Sequence, residues 1–301
     1  MRSHAGTPHG SHIPEEWPRE AALPAFVCTN CGYWQKFFET PSTCPICVDY
    51  RHVLPAHGWS FLGLEEARGL GRCVFEEVEN GIWRYGTETP LGIAPLGYVI
   101  VRPEGNVGFE GTGWYDEAAL EHIESIGGIS YLSASHPHSY GALWQLQERF
   151  DCEVALHPAD LEWSGALRVT WPFDDMLEVA PGLRLHLTAS HFAGHTVLHD
   201  ERRRILFCGD AMKFELHPED ERRAVAISTH KAFVRGVPLT HGELRRYRDV
   251  FAELDFDQTW TPFEQAANAG RAEALALLDH QLERRPSAAP MPLATGEAEK
   301  G

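Results

Sequence analysis

The sequence predicts a layered α/β sandwich with a small metal-stabilised module in front of it. Short strand-like runs and amphipathic helical runs alternate from about residue 54 to residue 284. Two Cys-x-x-Cys turns crowd into a stretch near the N-terminus too short to bury a core of its own. The chain is 301 residues long and 43% hydrophobic, ample for one large globular domain beside that module.

Charge narrows the function. The net charge is −17 and no basic run stands out, so nucleic acid is not an expected partner. A small anionic substrate is not excluded, because it meets only the pocket. No apolar run approaches the about 20 residues of a membrane span, so no membrane partner is expected. The first residues are polar and His-rich, without the apolar core of a secretory signal. Four of the seven cysteines form the two C-x-x-C pairs. That usage points to a metal site in a reducing cytoplasm rather than a disulfide frame.

Residues 1–23 are rich in Pro, Gly, Ser and His, lack any period and are expected to be a disordered tail. His4, His9 and His12 are read as solvated tail residues. Residues 24–52 form the metal module: Cys28-x-x-Cys31 and Cys44-Pro45-x-Cys47 each present two thiolates, and two such turns complete a tetrahedron for zinc or iron. The metal supplies the folding energy that so short a segment lacks. The large domain is expected over 53–284. A short helix is predicted over 62–70, and Asn80-Gly81 joins strands over 73–78 and 82–85. Strands follow over 97–102 and 106–110. A helix capped by Asp116 runs to Ser125, where Gly127-Gly128 stops it. A strand over 129–135, a helix over 142–150 and a strand over 153–156 come next. Residues 183–189, 196–199 and 204–208 read as an antiparallel run. A helix over 241–254, a strand over 258–260 and a helix over 266–283 complete the domain. Residues 285–301 are dominated by Pro, Ala and Ser and are expected to be disordered.

The chemistry gathers at Ser135-His136-Pro137-His138-Ser139-Tyr140-Gly141. In extended chain, i and i+2 point to the same side, so a strand ending in His-x-His aims two imidazoles at one point. Gly194-His195-Thr196 follows another apolar run, and Asp210 follows the run Ile205–Cys208. Three imidazoles and a carboxylate delivered from strand ends suit zinc or ferrous iron. His191 and His199 flank His195 by four residues on either side and are read as strand-edge packing. Cys208 is read as a core residue. Glu215, His217, His230 and Lys231, in the segment after Asp210, are given no role and are read as solvated loop residues.

The order His-x-His, Gly-His-Thr, Gly-Asp resembles the metallo-β-lactamase superfamily over roughly residues 90–264. That resemblance implies a four-layer αββα sandwich with His136, His138, His195 and Asp210 as first-site metal ligands. It also places Tyr140 and Gly141 where the family has Asp and His, and Glu264 where it has its last His, which implies a single-metal site. The cysteine segment, with Cys28-x-x-Cys31-Gly32-Tyr33, twelve residues between the pairs, and Cys44-Pro45-x-Cys47, resembles the rubredoxin-like module of rubrerythrins. A structural zinc ribbon without a redox role remains open there.

Three functions follow as expectations. With zinc, a metal-acidified water attacks an ester, thioester, lactone or amide of a small-molecule substrate, with Glu264 as base and Tyr140 facing the developing oxyanion. With ferrous iron, the site is similar to that of the persulfide dioxygenases, and the rubredoxin-like module delivers electrons. The third is a metal-containing binding protein without turnover. The sequence leaves open a homo-oligomer or an electron-transfer partner.

Overall fold

The computed structural model describes residues 23–294. The expected N-terminal tail, with His4, His9 and His12, lies outside the described residues up to residue 22, and so do residues 295–301. Strands β1 (Ala25–Cys28) and β2 (Trp34–Lys36), the helical turn α1 (Pro45–Val48) and strand β3 (Phe61–Gly63) build a small sheet in the order β2-β1-β3. The module therefore takes its third strand from beyond residue 52. Helix α2 (Leu64–Leu70) follows directly.

The first large sheet comprises β4 (Cys73–Glu79), β5 (Ile82–Thr87), β6 (Gly97–Ile100), β7 (Val107–Phe109), β8 (Tyr131–Ser133) and β9 (Glu153–Ala155), paired in chain order. Helix α3 (Glu117–Ser125) lies between β7 and β8, and α4 (Leu143–Phe150) between β8 and β9. Those two crossovers make the β7–β8 and β8–β9 pairs parallel. Gly81, at φ 73°, closes the expected β4–β5 hairpin. Asp116 caps α3 by accepting from the Ala119 amide at 3.0 Å, and its other oxygen accepts from the Cys73 amide at the start of β4.

The second large sheet is built from β10 (Met176–Ala180), β11 (Leu183–Leu187), β12 (Thr196–Asp200), β13 (Ile205–Phe207), β16 (Gln258–Trp260) and β17 (Gln265–Ala266). A hairpin, β14 (Lys213–His217) and β15 (Asp220–Ser228), and helix α5 (His241–Ala252) intervene between β13 and β16. Helix α6 (Arg271–Leu282) and strand β18 (Met291–Pro292) close the described chain. The large sheets face each other across Ile82, Tyr98, Ile100, Val107 and Phe109 from one and Leu183, Leu185, Leu198, Ile205, Phe207 and Trp260 from the other. The outer face of the first sheet packs on α3 and α4, and α5 and α6 cover the second. This is the expected αββα sandwich. No described helix is long and apolar enough to cross a membrane.

Four local expectations need correction. The strand leading to the His pair ends at Ser133, and Pro137–Ser139 form a 3-10 turn, because proline holds φ in the helical range. The final helix starts at Arg271, not Ala266, because Gln265 and Ala266 pair with Trp260 and Thr259. The stretch after Asp210 is the long β14–β15 hairpin rather than loop. Residues 285–294, expected to be disordered, include β18: Met291 pairs with Ile227, and Leu293 is buried. Two apolar side chains suffice there because β15 would otherwise end the small sheet as an open edge.

Candidate metal centre

The centre lies where β8, β11 and β13 end and β12 begins. Ser135 leaves β8 with its amide donating to the buried carboxylate of Glu110 at 3.0 Å. Its hydroxyl bonds Nδ1 of His136 at 2.8 Å, which turns Nε2 inward. The Thr196 amide of β12 donates to the Ser135 carbonyl, stitching the two sheets together at the site. Asp210 follows β13 through Gly209. A Cβ at Gly209 would lie 2.3 Å from the Ser135 hydroxyl and 2.9 Å from Nε2 of His195, and φ is +54°, so glycine is required at this crossing.

One nitrogen each from His136, His138 and His191 and one carboxylate oxygen of Asp210 all lie within 4.8 Å of one another. The Asp210 Oδ2 is 3.5 Å from Nε2 of His136 and 3.7 Å from Nε2 of His191. Nε2 of all three imidazoles is buried without a hydrogen-bond partner. Burial pushes the imidazoles of His138 and His191 well below their ordinary pKa. They are thus neutral at pH 7, the form that ligates a metal. Three imidazoles and one carboxylate with unspent lone pairs, converging in a buried pocket, fit zinc or ferrous iron.

His195 stands outside this group. Its Nδ1 bonds the Thr188 hydroxyl at 2.7 Å, and its ring packs 5.4 Å from that of His136. His191, read from sequence as packing, joins the cluster of possible ligands. Ala189 and Ser190 adopt left-handed φ of 49° and 72°, which swings the next side chain into the site. The sequence signal for this placement is the spacing Thr188-x-x-His191, just past the end of β11.

Tyr140 is 3% exposed and belongs to the apolar cluster that also holds Trp114, Leu143 and Trp144. Burial pushes its phenol well above its ordinary pKa. Gly141 has no space for a side chain, since a Cβ there would lie 2.4 Å from the carbonyls of both Gly111 and Thr112. Glu264 borders a cavity of about 40 Å³ with Asp210, His230 and Lys213. Its carboxylate accepts from the Lys213 ammonium at 2.8 Å and from the Thr261 hydroxyl. Nδ1 of His230 is buried without a partner. Two buried acids flank the centre: burial pushes Glu110 up to about 7 and Asp160 up to about 6.

The four cysteines come together as expected, buried and within 4.8 Å of one another. Sγ of Cys28 is 3.7 Å from that of Cys47, and Sγ of Cys31 is 3.5 Å from that of Cys44. Sulfurs around one tetrahedral ion with bonds of about 2.3 Å sit about 3.8 Å apart, so the cluster fits zinc or iron. The module is docked, not tethered. Trp34 is inserted between Trp114 and Trp144, and its indole N–H donates to the Gly113 carbonyl at 3.1 Å.

No protein-family model matches the chain. It is 28% identical over 202 residues to the uncharacterized protein YmaE of Bacillus subtilis, covering 62% of this chain and 72% of that one. Among solved structures it is similar to VMB-1, with a TM-score of 0.51 and 13% identity over 69% of this chain and 97% of that one. The DIM-1 metallo-beta-lactamase matches with a TM-score of 0.51 and 9% identity over 69% of this chain and 98% of that one. TMB-1 matches with a TM-score of 0.51 and 11% identity over the same share of this chain and 97% of its own. With two facing sheets and a helical layer on each, and with these structural likenesses, the chain has the metallo-β-lactamase fold, carried behind a rubredoxin-like four-cysteine module.

Proposed function

We propose that the protein is a metal-dependent hydrolase of small molecules working at a single-metal centre of His136, His138, His191 and Asp210. The observation that carries this is the set of three buried, unpartnered imidazole nitrogens meeting one carboxylate oxygen. A zinc ion there supplies an acidified water for attack on an ester, thioester, lactone or amide. The chain's own residues do the rest. Ser135 and Glu110 fix the His136 ring. Glu264, across the small cavity from Asp210, accepts the proton of the attacking water, and Lys213 balances its charge. Tyr140 packs beneath the site and positions the 3-10 turn that carries His138. The blocked Gly141 and the Lys213–Glu264 pair beside Asp210 support one metal rather than two. His195 supports the His136 ring from behind.

The docked cysteine module supports a second reading, a ferrous oxygen-dependent enzyme fed with electrons through a tetrathiolate iron. Metal content and the visible spectrum of protein purified without added metal separate the two. Zinc at both sites and turnover of an ester, thioester or lactone support the hydrolase. Iron lost with His136→Ala/His191→Ala, and thiolate-to-iron bands lost with Cys28→Ser/Cys31→Ser, support the redox enzyme. Metal at the cysteines alone sinks both.

A further inference from the structure

The chain that leaves the cysteine cluster runs directly onto the His/Asp centre. Two residues past Cys47, the Asp49 carboxylate binds the Arg51 guanidinium through both oxygens, at 2.6 Å from Nε and 2.7 Å from Nη2. That fork leaves Nη1 free, and Nη1 donates to the main-chain carbonyl of His191 at 2.9 Å. The guanidinium also stands 3.4 Å from the ring centroid of Phe192. The Arg51 and Asp49 side chains are only 11% and 14% exposed, so little solvent screens the pair. The next residue, His52, packs edge-on to His138 with ring centroids 5.3 Å apart, and its Nδ1 accepts from the Val53 amide. On the other side, the Tyr33 hydroxyl donates to the Trp163 carbonyl, and Trp163 packs against Phe192.

The loop these residues grip needs holding. Ala189 and Ser190 are non-glycine residues in the left-handed region, a conformation that persists only where its surroundings enforce it. The large domain pins the loop at Ser190 through Lys231 and at Gly194 through Asp160. At His191 itself the grip is shared: the Tyr247 hydroxyl of α5 accepts from the amide, and the Arg51 guanidinium of the cysteine module donates to the carbonyl. Asp49 and Arg51 owe their position to the turn Pro45–Val48, which holds Cys47.

We infer that Arg51 is a positioning residue for His191, and that the four-cysteine module is thereby a working part of the His/Asp centre, with metal occupancy of the two sites linked. This rests on the reading that His136, His138, His191 and Asp210 bind metal. Linkage is reciprocal: a filled tetrathiolate tightens the His/Asp site, and a filled His/Asp site steadies the module.

The test uses the full chain stripped of metal, with one equivalent of Zn²⁺ added to fill the thiolates and Co²⁺ then titrated onto the second site. The cobalt d–d bands report affinity and geometry there. Arg51→Met is expected to raise the Co²⁺ Kd tenfold or more and to change the band shape, in the range seen when an outer partner of a metal ligand is lost. Arg51→Lys restores little, since an ammonium cannot grip Asp49 and the carbonyl together. Lys36→Met, which removes a surface pair to Glu148 elsewhere on the module, is expected to leave the Kd unchanged. Wild-type Kd and band shape in Arg51→Met, with its melting temperature and thiolate bands intact, overturn the inference. If the wild-type chain takes up no Co²⁺ once the thiolates are filled, the single-metal reading itself fails. Cys44→Ser/Cys47→Ser gives a second arm: a Co²⁺ Kd unchanged in that variant, folded by circular dichroism, also overturns the linkage.

Discussion

Asp210 holds its Oδ2 3.5 Å from Nε2 of His136, at the end of the strand next to the one that carries His195. His195 holds its Nδ1 on Thr188, while its Nε2 is buried without a partner beside Gly209 and outside the four-ligand cluster. With His191 and not His195 in the proposed ligand set, the two histidines four residues apart are expected to separate cleanly. His191→Ala abolishes metal uptake at the His/Asp site. His195→Ala keeps a full metal equivalent and lowers stability by about 2 kcal/mol, from the cavity it leaves behind His136. Metal analysis and urea denaturation of the two variants check this, and loss of the metal equivalent in His195→Ala would reverse the assignment.

Glu110 predicts a pH signature. Its folded value of about 7 lies above the ordinary 4.5 because burial penalises the anion. The folded chain therefore binds the extra proton between pH 4.5 and 7. Its stability is fully present below that window and falls as pH rises through it. Over 2.5 pKa units the loss is about 3 kcal/mol. Glu110→Gln keeps an acceptor for the Ser135 amide and cannot ionise. Its stability relative to the wild type should be higher at pH 8 than at pH 5 by roughly that amount, read from denaturation midpoints.

At the opposite end of β12 from the metal centre, Arg102 and Asp200 form an ion pair at 2.8 Å, with side chains 4% and 0% exposed. Asp200 also accepts from Arg203. Removing Arg102 leaves a buried carboxylate with one partner. Arg102→Met is expected to cost about 3 kcal/mol or more in urea denaturation while leaving metal stoichiometry untouched. A neutral effect would mean that Arg203 alone satisfies the carboxylate.

Strand β18 seals the outer edge of β15. Ending the chain after Arg284 removes the Met291–Ile227 pairing and uncovers the pocket filled by Leu293. The truncated protein should fold, lose about 1–2 kcal/mol, and self-associate through the bared edge. Light scattering with thermal melts tests both effects.

Much of this architecture was legible in the residues. The cysteine knuckles, the Asn80-Gly81 hairpin, the Asp116 cap and the strand before Asp210 all rest on local chemistry, which short windows of sequence contain. The third imidazole rests on two left-handed residues, Ala189 and Ser190, whose side chains give no hint of that conformation. The β14–β15 hairpin carries charged residues on its exposed positions and so mimics a loop. The start of α6 is set by a partner strand distant in sequence. Arg51 was invisible as a contributor because it belongs to the module by sequence and to the metal centre only by docking.

The packing around Gly141 carries a lesson for redesign. Anyone wishing to enlarge this centre to hold two ions would naturally restore a histidine at that position. The carbonyls of Gly111 and Thr112 forbid it without rebuilding the β7–α3 loop. The other side of Asp210 is the accessible route: a small cavity there is already bordered by Glu264 and His230, and shortening Lys213, which also lines it, would enlarge it. The centre is thus asymmetric in its capacity to change, rigid toward the helix that follows the His pair and pliable toward the hairpin.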